Sequence, residues 1–221
     1  MRTWLKTVAG KTLVTYGSIA VAVAVAIAIG SAGAAPASAR DSRDRDMNWR
    51  RAATEADRGR LRGWRAAWVA ALPQVDPREI ARDPVLFNPD RSLVDPLPPE
   101  GAYRCRTFKL GARSGIGPTF MASGWFACRI GTAQGESVVS LTKLDGSQRP
   151  VGTIYPDTDA RAIFLGTMQL GDEKRPMSYG RDANRDMAGL IERIAERRWR
   201  VVLPYPRFES VLDVVELVPA D

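Results

Sequence analysis

Apolar positions in the C-terminal third of the chain alternate with a period of two. In "RWRVVLPYP", Trp199, Val201 and Leu203 fall on one side of an extended backbone, with Arg200 and Val202 on the other. Two helix-like spacings compete with this pattern: Met187, Leu190, Ile191 and Ile194, and again Phe208, Val211, Leu212 and Val215. The β-branched content of these stretches and of "VLDVVELV" decides for strands over 188–194, 198–203 and 211–218, with turns at Ala195–Arg198 and Tyr205–Ser210. Upstream, "YRCRTFKLG", "WFACRIG" and "ARAIFLGTMQL" read as strands. "ESVVSLTKLDGSQRPVGTIYPD" reads as two more, joined at Asp145-Gly146, a strong hairpin signal. "GDEKRPMSYGRDANRDM" has few apolar residues and reads as a mobile loop. The pattern predicts a mainly β chain of the α+β class. About eight regularly spaced strands over 102–221 form an antiparallel barrel, with a sandwich as the alternative.

Ahead of the strands the period changes. Leu61, Trp64, Trp68 and Leu72 recur at spacings of three and four, which predicts one amphipathic helix over 47–72, stopped by Pro73. Arg51, Arg58, Arg62 and Arg65 lie in one sector beside that stripe. Gly59 and Gly63 each weaken such a helix by about 1 kcal/mol against alanine, so it needs a surface to pack on. Residues 73–101 hold seven prolines among 29 residues and predict an extended wrap or linker, with a short helical turn around Pro77–Arg82. "RDSRDRD", 40–46, alternates charges without an apolar residue and reads as a disordered lead-in.

The first 39 residues read as a secretory signal peptide. Arg2, Lys6 and Lys11 precede a continuous Ile/Val/Ala run from Ile19 to Ile29, and Ala37-Ser38-Ala39 gives the small-x-small cleavage pattern. The alternative is an uncleaved membrane anchor, since the apolar run from Leu13 to Ala35 is nearly long enough to span. A cleaved leader places the protein in the periplasm or outside the cell.

Charge is concentrated in one place. The formal charge of +7 falls to +4 without the leader's three cations, and the remainder lies between Met47 and Leu72, where six arginines oppose Glu55 and Asp57. An exported chain whose β portion is neutral is a poor partner for nucleic acid. The arginine sector (Arg51, Arg58, Arg62, Arg65) beside tryptophans suits an anionic membrane surface, an acidic polymer or an envelope protein. The plainer reading is a solvated face.

Composition removes most catalytic chemistry. The chain contains no histidine, so Ser/His, Cys/His and ordinary zinc constellations lack a member, and no serine stands in a G-x-S-x-G elbow. "AGKTL" at 9–13 lacks the first glycine of a phosphate loop, and "GARSGIGP" lacks full dinucleotide spacing; neither supports a cofactor. Carboxylates remain, with Glu192, Glu209, Asp213 and Glu216 as candidates for a hydrolase acting on an envelope polymer. Asp213 and Glu216, three apart in a strand, point to opposite faces. The two cysteines, Cys105 and Cys128, fall in strand-like segments of an exported chain, where pairs of cysteines form disulfides. The rival reading, a reactive thiol at Cys128, has no histidine to activate it.

The segments "RCRTFKLG", "FACRIG", "KLDGSQRPVGTIYP", "RAIFLGT" and "ERIAERRWRVVLPYPRFESVLDVVELVP" resemble an uncharacterised family of exported Gram-negative proteins classed only as a domain of unknown function. The resemblance covers roughly Trp49 to Pro219, implies export and the Cys105–Cys128 pairing, and brings no activity. The expected role is therefore non-catalytic: a monomeric envelope protein that holds a small amphiphile in its barrel, or contacts an envelope protein or polymer. Trp199, Val201 and Leu203 would line the interior, with Arg149 and Arg161 near strand ends facing an anionic head group. Plain core packing is the competing role for those three apolar residues.

Overall fold

The structure is a computed structural model that describes Gly10, residues 48–132 and residues 138–220. The expected leader (1–39) and lead-in (40–46) lie outside the described residues, Gly10 apart. Among the described residues, no helix is long and apolar enough to cross a membrane.

Among the described residues, alternation produces nine strands: β1 (Gly101–Ala112), β2 (Phe120–Ala122), β3 (Phe126–Thr132), β4 (Val139–Lys143), β5 (Gln148–Pro156), β6 (Ala162–Leu170), β7 (Asp186–Ala195), β8 (Arg198–Pro204) and β9 (Ser210–Pro219). All neighbours are antiparallel, and β9 returns to β1 over a register running from Tyr103↔Pro219 to Ala112↔Ser210. Eight strands, β1 and β3 to β9, thus form a closed barrel. The ninth arises because β1 pairs twice along one edge. Its first half, Gly101–Cys105, meets β3, and Phe108–Leu110 meets β2. The short β2 extends the wall at one end of the barrel.

The alternation sorts the strands' side chains into two apolar clusters. Tyr103, Cys105, Ile130, Leu141, Ile154, Phe164, Ile191, Trp199 and Val201 are among those packed together inside. Cys105 and Cys128, on adjacent strands, are joined by a disulfide with their Cα atoms 5.9 Å apart. Phe108, Leu110, Leu190, Val202, Leu212 and Val214 face outward and are covered by the N-terminal segment.

That covering segment corrects the expected single helix. It forms three helices, α1 (Trp49–Ala52), α2 (Glu55–Arg62) and α3 (Trp64–Ala71). Ala53 and Thr54 are extended, and Thr54 caps α2 by accepting the Asp57 amide. The second break is Gly63, which terminates α2 and packs where a Cβ would stand 3.2 Å from the Tyr205 ring. The apolar stripe survives both breaks, with Leu61 and Trp68 buried on the barrel wall. The proline-rich stretch then wraps the barrel. It contains the expected helical turn as α4 (Pro77–Ala81), buries Leu86 and Phe87, and bridges Leu93 to Arg193 on β7.

Candidate functional site

The barrel interior differs along its length. At the level of Cys105, Cys128, Leu141, Phe164 and Val201, only about 10 Å³ of space remains. Above this floor, toward β2, the interior opens into a cavity of about 220 Å³. The division is written in the glycines of β5 and β6. Gly152 and Gly166 pair across the two strands, and a Cβ on Gly166 would stand 2.6 Å from Phe164 Cζ and 2.4 Å from Val151 O. Phe164 takes the volume that a side chain at 166 would need, and so roofs the packed half.

The next inward positions are longer and more flexible. Met168 on β6, Met187 on β7 and Met121 on β2 border the cavity, together with Leu203, Val215 and Phe126. Methionine adapts to ligands of varied shape because its unbranched side chain and polarisable sulfur repack easily. Polar residues share the wall with these side chains: Thr107, Lys109, Ser123, Lys143, Ser147, Gln148 and Asp213. An apolar concavity with a small number of convergent polar groups is the usual form of a small-molecule site.

The charges in the cavity are unequally matched. Lys109 Nζ lies 3.3 Å from Glu209 Oε2 and 3.7 Å from Asp213 Oδ2. Burial pushes the Asp213 carboxyl above its ordinary value, against the pull of the Lys109 ammonium and of the Ser210 hydroxyl that donates to it. Lys143 is different. Its Nζ donates to the Gln148 carbonyl at 3.0 Å and stands 3.7 Å from the centre of the Phe126 ring. Among the described residues, no carboxylate lies within ion-pairing distance of it. Burial lowers its ammonium below the usual lysine value, and the charge of Asp145 acts in the opposite sense.

The residues expected to carry function are distributed as follows. Leu203 borders the cavity, Val201 lies in the floor, and Trp199 is buried at the far end of the barrel against Tyr103. Arg149 and Arg161 require correction, since neither faces the cavity. Arg149 donates to the carbonyls of Gly146, Leu170, Gly171 and Glu173, tying the β4–β5 turn to the loop after β6. Arg161 pairs with Glu192 and lies over Trp64 on the outer wall. The inward cations are instead Lys109 and Lys143. The arginine sector is dispersed by the helix breaks: Arg58 donates to the carbonyls of Arg50 and Ala53, Arg65 pairs with Asp90, and Arg51 and Arg62 are exposed.

The candidate carboxylates divide between the two walls. Glu192 is fully buried outside the barrel with Arg200 and Arg161, and Glu216 is held by Arg106 and Arg198. Asp213 faces inward, opposite to Glu216, and Glu209 is exposed beside Lys109. Of the two lysines, Lys109 was findable from sequence. Once Cys105 is assigned inward by its disulfide, Thr107 and Lys109 follow at i+2 and i+4 on the same strand.

The sequence pattern of one family, described as a domain of unknown function (DUF4893), matches residues 49–217. That span runs from the first helix into the last strand and includes the whole cavity, and the chain belongs to this family. No curated protein and no solved structure matches the chain.

Proposed function

We propose that this member of the DUF4893 family is an exported binding protein of the cell envelope that holds one small, apolar-bodied molecule in the open half of its barrel. The observation that carries the reading is the contrast inside one barrel: a floor packed to about 10 Å³ and, above it, about 220 Å³ bordered by three methionines. A cavity of that volume corresponds to roughly seven waters of liquid, a small guest of about six to eight heavy atoms. The Cys105–Cys128 disulfide supports residence in an oxidising compartment, the periplasm or the exterior.

The methionine methyl groups supply the test. With 13C-methyl methionine labelling, titration with hexan-1-ol is expected to shift the resonances of Met121, Met168 and Met187 in a saturable way. Met177, which does not border the cavity, should stay in place. Equal, non-saturating drift of all four signals would sink the reading.

A carboxylate-dependent hydrolase is the second reading, favoured by one observation: Glu209 and Asp213 converge on the same ammonium. Against it stands Lys109, which lies close to both carboxylates. Loss of turnover of an envelope polymer in a folded Glu209→Gln variant would establish it in place of the binding role.

A further inference from the structure

Among the described residues, Lys109 has carboxylates within ion-pairing distance in the cavity wall, and Lys143 has none, Asp145 acting on it only from farther away. Lys109 is neutralised twice, by Glu209 at 3.3 Å and Asp213 at 3.7 Å. Lys143 donates to the Gln148 carbonyl and lies over the face of Phe126. Desolvation of this half-buried ammonium is only partly offset by the more distant charge of Asp145, which leaves it a favourable partner for a second anion. Its position is fixed by the β4 register. Lys143 pairs with Cys128, one of the two disulfide cysteines, and alternates with Leu141, which is buried in the floor. Lys143 also borders both the cavity and the packed region below it, as Leu203 and Val215 do.

We infer that the guest is a monoanionic amphiphile, a short-chain carboxylate, whose head group pairs with Lys143 and whose tail packs on Leu203, Val215 and Met187. The inference rests on the open half being a ligand cavity. Three features select this class. Two ammonium groups in the wall disfavour a cation. A neutral guest leaves Lys143 without an anion. A doubly charged phosphate monoester meets Asp213 and Glu209, whose charges already share Lys109. The lowered position of the Lys143 ammonium fits an empty seat, and a bound carboxylate would move it back up.

Calorimetric titration of the purified protein at pH 7 with hexanoate, hexan-1-ol and hexylamine tests this. Hexanoate is expected to bind at least about tenfold more tightly than hexan-1-ol, as a charge-assisted contact would give, and hexylamine more weakly than either. Lys143→Gln should bring hexanoate down to the affinity of hexan-1-ol without changing the latter, and Lys143→Arg should keep most of the preference. In the wild-type protein, the 15N resonance of Lys143 should titrate at higher pH with hexanoate bound than without it. Equal affinity for hexanoate and hexan-1-ol, or a preference unaffected by Lys143→Gln, would overturn the assignment of the head group while leaving the cavity reading intact. If none of the three binds, the cavity reading fails, and this inference with it.

Discussion

The same strands carry two populations of charge, one on each side of the barrel wall. On the outer side Arg200 is fully buried, and its guanidinium makes five hydrogen bonds: two to Glu192, and one each to the carbonyls of Leu86, Asn88 and Arg91. Arg198 bridges Asp83 and Glu216, and Arg106 reaches the same Glu216. These groups fasten the proline-rich wrap to the wall, and their partners all come from the protein. On the inner side, Lys143 faces a cavity, and among the described residues no carboxylate lies at ion-pairing distance from it. Removing a charge from water is unfavourable in both places. Where the fold supplies the compensation, the charge is structural. Where it leaves the compensation unfinished beside an open volume, the charge marks a place for something else.

The largest expected effect breaks the outer set. Glu192→Ala strands Arg200 in a buried site and should destabilise the fold by about 3–5 kcal/mol in denaturant titration, as loss of one member of a buried pair does. Affinity for a cavity ligand should be unchanged in whatever fraction stays folded. Next in size is the disulfide beneath the cavity. Replacing both Cys105 and Cys128 by serine opens a loop with a sequence separation of 23, worth about 3.5 kcal/mol on the chain-entropy account.

Acid sharpens the contrast, because the aspartate that ties the wrap to the outer wall and the one on the inner wall are shifted in opposite directions. Burial raises Asp83, but hydrogen bonds from Arg198 and from the Leu86 amide outweigh it and leave its carboxyl below the ordinary 3.8. Its contribution is therefore complete above that value and is lost as pH falls through the lower, folded one. Asp213 is raised by burial, so the folded state keeps that proton longer than the unfolded chain, and stability declines as pH rises from 3.8 toward the folded value. Asp83→Asn should be less stable than wild type at neutral pH, and Asp213→Asn more stable, with thermal midpoints as the readout. The smallest effect on stability is expected at Lys143, where replacement by glutamine should leave the fold as stable as wild type or slightly more so, while removing the carboxylate preference.

Much of the barrel was legible because alternation and turn chemistry agree. The strands expected at 188–194, 198–203 and 211–218 occur as Asp186–Ala195, Arg198–Pro204 and Ser210–Pro219, and Asp145-Gly146 turns the hairpin with Gly146 at a φ of +84°. The helix over 47–72 was misread because periodicity does not register a cap. Thr54 followed by Asp57 starts a new helix inside an otherwise continuous stripe. Arg200 was placed correctly on the outward face, but alternation cannot tell a solvated outer face from one covered by a wrap some 110 residues away in sequence. The cavity was harder still. It depends on Phe164 filling the space left by Gly166, a tertiary contact with no local signature, and the arginines expected to face it are taken up by backbone carbonyls and Glu192.

The central claim is that the open half of the barrel is completed by a small molecule. Native mass spectrometry of the protein purified from its own host's envelope tests it most directly. A single discrete extra mass, small enough for about 220 Å³ and released by organic solvent as an acid, is the predicted result. A bare polypeptide mass, unchanged after incubation with hexanoate and hexan-1-ol, would contradict it.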